Sequence, residues 1–122
     1  MEDLQQNSKN DLQDRLFNFV VNVIIQIRNL PSGVEYNVIS YQLIKAATST
    51  GANYEEAQGA VSKADFANKV GIALKEMRES NYWIRLIIAI TEKNDDWKKN
   101  RQESAELMKI LGSIYSKTSV KR

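Results

Sequence analysis

Apolar residues recur every three or four positions along most of this 122-residue chain, which is the period of an amphipathic α-helix. Helix-breaking and helix-capping residues divide the pattern into segments. The segments predict helices at about 11–30, 35–60, 63–91 and 97–115. We expect residues 117–122 to be a frayed tail. Because the connections are short, the predicted fold is all-α: an antiparallel up-down-up-down four-helix bundle, one domain over residues 1–122.

Two of the helix boundaries carry clear signals. Pro31 and Gly33 stop the first helix, because proline has no amide proton to donate and glycine favours turns. Ser62 followed by Asp65 has the spacing of a capping box, in which side chains satisfy the free amides of a first helical turn. The third helix should therefore begin directly after Ser62.

The second segment has a stripe of small and apolar residues at helical spacing. The stripe consists of Ile39, Leu43, Ala46, Ala47, Thr50, Tyr54, Ala57 and Val61. Gly51 and Gly59 each cost roughly 1 kcal/mol against alanine inside a helix, so a break near residues 49–53 is an alternative. The unbroken stripe favours one continuous helix. In the fourth segment, the same spacing predicts an inner face of Leu107, Met108, Leu111, Ile114 and Tyr115.

Two segments are too apolar for helices that bury only one face. In residues 16–27 the polar side chains form one narrow line of Asn18, Asn22 and Gln26. Residues 82–90 carry a single charge, that of Arg85. Large exposed apolar patches mark interaction sites, so self-association is the simplest way to cover both segments. A monomer with a deeply buried first helix is the alternative. The expected oligomer interface consists of Phe17, Val21, Ile25, Tyr82, Trp83 and Leu86.

Composition excludes several classes of function. The chain has no cysteine and no histidine, so thiolate nucleophiles, zinc–thiolate sites, iron–sulfur clusters and histidine-based triads are excluded. We expect no metal and no cofactor. The longest apolar run is too short to span a bilayer, and the polar first eleven residues contain no signal-peptide core, so no membrane association and a cytoplasmic location are expected.

The net charge of +2 permits a local basic patch without demanding nucleic acid as a ligand. The candidate phosphate-binding residues are Lys45, Lys63, Lys69, Arg78 and Arg85. Mixed surface charge that serves only solubility is the alternative. Trp97 precedes Lys98 and Lys99 and has two interpretations, a base-stacking platform or a cover for one end of the bundle.

Carboxylates on the middle helices raise the question of catalysis. Glu56 and Glu76 are the best candidates, but no nucleophile or cofactor motif accompanies them. Structural ion pairing explains them better, because Lys75 and Glu79 have i,i+4 spacing and Lys69 lies seven residues before Glu76. The interpretation is that the protein is not an enzyme.

The segment 49–83 resembles a known family in the order of its short motifs. These motifs are Gly51-Ala52-Asn53-Tyr54, Glu55-Glu56-Ala57, Ser62-Lys63-Ala64-Asp65-Phe66, Lys69-Val70-Gly71-Ile72-Ala73-Leu74-Lys75-Glu76 and Arg78-Glu79-Ser80-Asn81-Tyr82-Trp83. The order is similar to that of the bacterial four-helix-bundle family encoded by intervening sequences inside 23S ribosomal RNA genes. The resemblance extends over most of the chain, and the segment 92–102 with Trp97 is its least typical part.

The resemblance implies a four-helix bundle that assembles into a ring-like homopentamer and has no established enzymatic activity. Some related bundles are accessory proteins of diversity-generating retroelements, in which a strongly basic barrel binds a reverse transcriptase and nucleic acid. The small net charge here favours the ribosomal-RNA-associated group.

Three functional hypotheses follow. The first is a homo-oligomer that binds structured RNA or a ribonucleoprotein through repeated Lys and Arg patches. The second is a protein-binding scaffold. The third, a small enzyme that uses Glu56 and Glu76, ranks well behind.

Overall fold

The computed structural model of the chain describes residues 4–119, which form four α-helices and no strand. The helices are α1 (Leu4–Ile27), α2 (Val34–Gln58), α3 (Lys63–Ile90) and α4 (Asp95–Ser119). Each helix packs against the next, and α1 closes the bundle against α4. In the described part of the chain, the backbones of the diagonal pairs, α1 with α3 and α2 with α4, do not come within 8 Å of each other between Cα atoms. The predicted all-α four-helix bundle is confirmed.

The first helix ends three residues before the predicted boundary. The amides of Asn29 and Leu30 donate to the carbonyls of Gln26 and Ile27 over 3.0 and 3.1 Å. These bonds span three residues instead of four, so the backbone tightens into a turn before Pro31 is reached. At its other end α1 begins at Leu4, earlier than expected.

The second helix is continuous through Gly51, as predicted. Gly51 faces α1, and a Cβ atom at this position would lie 3.8 Å from Cγ2 of Val20. That distance is an ordinary van der Waals contact, so the packing of α1 on α2 does not by itself require glycine at this position. The prediction that Val61 belongs to the buried stripe is wrong, because α2 ends at Gln58 and Val61 is 92% exposed.

The third helix begins where the capping box predicts. The Ser62 hydroxyl oxygen accepts a hydrogen bond from the Asp65 amide at 3.0 Å. In return, a carboxylate oxygen of Asp65 accepts from the Val61 amide at 3.2 Å. Together the two side chains satisfy amides that the first turn leaves without helical partners.

The fourth helix is longer than predicted at both ends. It starts at Asp95, directly after Asn94, whose side-chain amide donates to the carbonyls of Ile88 and Thr91 and so joins the end of α3 to the start of α4. At the other end, the hydroxyl of Thr118 donates to the Ile114 carbonyl at 2.9 Å. Residues 117–119 are therefore helical, which corrects the predicted frayed tail, and residues 120–122 lie outside the described part of the chain.

The core consists of one stripe from each helix. Its largest fully buried side chains are Leu16, Phe19, Val23, Leu43, Val70, Met77, Ile84, Ile87, Leu107 and Leu111. The predicted stripe of α2 is buried from Ile39 through Ala57. In α4, Leu107 and Leu111 are buried as predicted, and Met108 and Ile114 are partly buried against the core. Tyr115 is exposed although its ring lies against Gly71 of α3.

Gly71 and Gly112 differ in the space available for a side chain. A Cβ atom on Gly71 would approach Cε1 of Tyr115 to 2.8 Å, whereas one on Gly112 would meet nothing within 4 Å. We expect Gly112→Ala to raise the free energy of unfolding by about 0.5–1 kcal/mol, which is the helix-propensity difference between the two residues. Gly71→Ala should give no such gain, because the Tyr115 ring must move. Urea unfolding of both variants measures the difference, and equal stabilisation would contradict the close contact of α3 with α4.

Candidate nucleic-acid interface

Two contacts determine how α3 and α4 are rotated against each other. The side-chain amide of Asn81 on α3 donates to the Ser104 hydroxyl on α4 at 2.8 Å, and both side chains are buried. About ten residues earlier on α3, Gly71 lies against the ring of Tyr115. A helix turns by about 100° per residue, so these contacts decide which side chains border the seam between the helices.

Basic side chains lie in rows on the outer sides of both helices. On α3 the spacing of three and four residues from Gly71 passes through Lys75, Arg78, Tyr82 and Arg85. On α4 the same spacing relates Lys98, Arg101 and Lys109. All of these basic side chains are exposed, and neither line contains a carboxylate. We refer to this surface as the basic face, which consists of Lys75, Arg78, Arg85, Lys98, Arg101 and Lys109.

The two glutamates in the middle of α4 bind the other neighbouring helix, α1. Glu103 and Glu106 both bind Arg15 of α1, over 2.6 and 2.9 Å. The hydrogen bonding of Arg15 to the Glu103 carboxylate is the main reason why the pKa of Arg15 lies above its ordinary value. The two glutamates of α4 are therefore held toward α1, whereas Lys98, Arg101 and Lys109 share a different, exposed side of the helix.

The cations of the basic face are largely unpaired. Among residues 11–119, whose side chains the structure describes, Arg78, Arg85, Lys98, Arg101 and Lys109 form no ion pair. Lys75 lies 4.0 Å from Glu76, which is the outer limit of such a contact. Unpaired exposed cations remain available to phosphate groups.

The structure separates the phosphate-binding residues predicted from the sequence. Arg78 and Arg85 lie together on the basic face, whereas Lys45 lies on α2, which is not a neighbour of α4 in the bundle. Lys63 stands in the first turn of α3, and Lys69 pairs with Asp65 at 3.0 Å. Lys75 and Lys109 were not among the phosphate-binding residues predicted from the sequence. The helical spacing of Lys109 from Lys98 and Arg101 is a signal that could have revealed it.

The two interpretations of Trp97 are resolved by its burial. Its side chain is only 4% exposed and belongs to the core, next to the exposed Lys98 and Lys99. Trp97 covers the end of the bundle and is not accessible for stacking on a base.

The predicted self-association surfaces lie on two helices that are not neighbours in the bundle. On α1, Phe17 is 67% exposed, Ile25 is also exposed and Val21 is half-buried. On α3, Tyr82 is 47% exposed, whereas Trp83 and Leu86 are half-buried and pack partly on the core. Since α1 and α3 are diagonal in the bundle, the two sets face different directions.

Helix α2 exposes further apolar side chains that the sequence analysis did not identify. Val34, Val38 and Tyr41 lie on its outer side and are all exposed. Their spacing of four and three residues was the available signal. Between α1 and α2 lies a cavity of about 250 Å³ that Phe17 and Gly51 help to line.

Comparison with known proteins identifies the family. The sequence profile described as 23S rRNA-intervening sequence protein matches residues 8–113. The chain belongs to this family. A solved structure from Bacteroides thetaiotaomicron VPI-5482, described as a protein of unknown function from the S23 ribosomal protein family, shares 35% sequence identity with a TM-score of 0.78. The alignment covers 88% of this chain and 96% of that chain. A search of curated proteins finds no match.

The match to the 23S rRNA-intervening sequence protein family confirms the resemblance found in the motifs. It covers parts of all four helices and includes every residue of the basic face. None of the helices between residues 4 and 119 has an apolar stretch sufficient to cross a membrane.

In this member of the 23S rRNA-intervening sequence family, several carboxylates of the middle helices have structural partners, whereas Glu56 is exposed and forms no ion pair with the described side chains. Glu55 accepts from the Gln13 amide at 3.0 Å, and Glu79 accepts from the indole nitrogen of Trp83 at 3.0 Å. The predicted pairing of Lys75 with Glu79 is therefore wrong, since Lys75 lies against Glu76 instead. In the part of the chain that the structure describes, no group of three or more carboxylates is arranged to hold a metal ion.

The ion pair of Asp65 with Lys69 generates a prediction about pH. The hydrogen bond from Lys69, and then that from the Val61 amide, lowers the pKa of Asp65. A carboxyl group with a lowered folded-state pKa stabilises the fold above its unfolded pKa of about 3.9 and loses this effect as the pH falls through the folded value. We expect Asp65→Asn to unfold at lower urea concentration than the wild type at pH 7, with the difference vanishing in strong acid.

The control is Asp14→Asn, because Asp14 is exposed and has no ion pair with the described side chains. Urea titrations across this pH range measure both variants. A wild-type advantage over Asp65→Asn that does not change with pH would contradict the assigned role of the carboxylate charge.

Proposed function

We propose that this protein is a non-enzymatic, homo-oligomeric RNA-binding bundle whose basic face contacts the phosphate backbone of structured RNA or of a ribonucleoprotein. The observation that carries the proposal is the separation of charge on α4. Glu103 and Glu106 are bound to Arg15, whereas Lys98, Arg101 and Lys109 are exposed and form no ion pair with the described side chains.

The dimensions of the basic face suit a phosphate backbone. Arg78 and Arg85 are seven residues apart, so their Cα atoms are separated by about 10 Å along the helix. The cations of α3 and α4 form two rows, and packed helices lie about 8–10 Å apart. This surface offers several cations within the span of a few phosphates, and release of counterions from RNA would drive binding.

Self-association supports the proposal by repeating this surface. The apolar side chains of α1 and α3 face different directions, so a contact between the α1 set of one copy and the α3 set of another joins two unlike surfaces. Because Tyr82 lies beside Arg85, the α3 side of this contact is made mainly by Trp83 and Leu86, which leaves the basic face accessible. Such a heterologous contact forms a ring when the rotation closes. The motif resemblance indicates a ring of five. A ring multiplies a modest patch into an extended one without requiring a large net charge.

A protein-binding scaffold is the second candidate, and the exposed Val34, Val38 and Tyr41 of α2 favour it. These side chains lie outside the predicted oligomer interface and would suit an apolar protein partner. An accessory protein of a diversity-generating retroelement would combine both functions, with a reverse transcriptase as the protein partner.

The first test is fluorescence anisotropy of a labelled RNA stem-loop at several salt concentrations. We expect the logarithm of the affinity to fall linearly with the logarithm of the salt concentration. Lys109→Glu should weaken binding about fivefold at 0.1 M salt and reduce the slope by about one, because a phosphate contact is lost.

Lys99→Glu is the matched control, since Lys99 is an exposed residue of the same helix that lies 3.9 Å from Asp96 and outside the basic face. It changes the net charge equally but should leave the affinity nearly unchanged. Equal losses in the two variants would show binding through overall charge. No binding at low salt would refute the RNA proposal and leave the scaffold as the better account.

The second test is the native mass by light scattering. We expect about five times the 13.9-kDa chain mass for the wild type. Phe17→Asp should yield smaller species, because a charge would be buried in the interface. Val61→Asp changes an exposed valine of the α2–α3 loop, outside both predicted surfaces, and should leave the mass unchanged. A wild-type monomer at micromolar concentration would refute self-association.

A further inference from the structure

A chain of hydrogen bonds leads from the interior of the α3–α4 seam to the basic face. The Ser104 hydroxyl donates to the Arg101 carbonyl at 2.8 Å and accepts from the Asn81 amide at 2.8 Å. The Asn81 carbonyl oxygen then accepts from Nε of Arg85 at 2.9 Å. Asn81 and Ser104 are buried, and Arg85 is exposed.

The donor and the acceptor in each of these hydrogen bonds follow from the number of protons that each group can donate. A hydroxyl has one proton, and Ser104 uses it on the Arg101 carbonyl, so toward Asn81 it can only accept. The amide of Asn81 must then turn its NH₂ group inward and its oxygen outward. The outward oxygen is an acceptor directed at Arg85, whose guanidinium has only donors.

The guanidinium of Arg85 is held at a second point. Its central carbon lies 5.6 Å from the centroid of the Tyr82 ring, which is within the range of a cation–π interaction. Tyr82 is itself in edge-to-face contact with Trp83, at a centroid distance of 5.0 Å. The two terminal nitrogens of Arg85 make no hydrogen bond with any described residue.

Arg78 is the natural comparison, since it stands on the same helix seven residues earlier, on the same face. It is exposed like Arg85 but has no hydrogen bond, ion pair or ring contact with the described residues. The two arginines therefore differ in how strongly the fold restricts them.

We propose that Arg85 is a pre-oriented anchor for an RNA phosphate, with Asn81 and Ser104 as its positioning residues; this inference rests on the proposed RNA-binding function. Because Nε makes the bond to Asn81, the two terminal nitrogens remain free to donate hydrogen bonds to one phosphate in a bidentate contact. A side chain that is already ordered loses less conformational freedom when it binds, so Arg85 contributes more to affinity than the unrestrained Arg78.

Charge-preserving substitutions test this proposal with the RNA stem-loop titration. We expect Arg85→Lys to weaken binding about tenfold, because lysine has neither the Nε donor nor the planar fork, and Arg78→Lys to weaken it about threefold or less. Both variants keep the net charge, so the salt slopes should remain close to that of the wild type.

A double-mutant cycle isolates the positioning. In an Asn81→Ala background, Arg85→Lys should reduce the affinity for the RNA stem-loop by no more than Arg78→Lys does in the wild type. The reason is that Asn81→Ala has already removed the hydrogen bond that orients Arg85. Circular dichroism confirms folding of each variant. Should Asn81→Ala fail to fold, Ser104→Ala takes its place. Without the Ser104 hydroxyl, the Asn81 side chain loses its inner hydrogen-bond partner and can rotate away from Arg85.

The outcomes are distinguishable. Equal losses for Arg85→Lys and Arg78→Lys, or an unchanged cost of Arg85→Lys in the Asn81→Ala background, would overturn the anchor while RNA binding stands. Failure of the wild type to bind RNA at low salt would refute the proposed function and the anchor with it.

Discussion

The close contact of α3 with α4 is the constraint on which the charge pattern of this protein depends. Gly71 lets the Tyr115 ring approach α3, and the buried bond between Asn81 and Ser104 restricts the sliding and rotation of one helix against the other. A buried polar pair costs free energy when it is broken, so the hydrogen bond specifies one register. This register places Arg85 of α3 next to the hydrogen bond that joins the two helices. A rotation of α4 by one residue would move its basic line about 100° away.

Helix α1 is held differently. It packs against its neighbours less extensively than α3 packs against α2 and α4. Polar contacts assist it, among them the hydrogen bond from Asn100 to Gln26 and the ion pairs of Arg15. Phe17 and Ile25 remain exposed as a result. Apolar surface of this kind on a helix that completes the bundle is the physical reason to propose assembly into a larger particle.

The helices themselves were predictable because local rules decide them. Ser62 and Asp65 marked the start of α3 correctly, and the small-residue stripe identified α2 as continuous through Gly51. The ends were less predictable. Residues 117–119 lack an apolar pattern, but the hydroxyls of Thr118 and Ser119 bond to carbonyls within the helix, as serine and threonine also do outside helices.

The candidate site was predictable only in part, because its residues come from two helices. The sequence by itself determined the all-α class, the four segments, the family and the excess of apolar side chains in residues 16–27 and 82–90, since each depends on neighbours within a few turns. The tertiary structure alone decided that Arg85 is bonded to Asn81, which is tied to Ser104 of α4, whereas Lys69 is paired with Asp65. The physical reason is that a helical pattern specifies which side chains share a face, but only packing decides what that face meets.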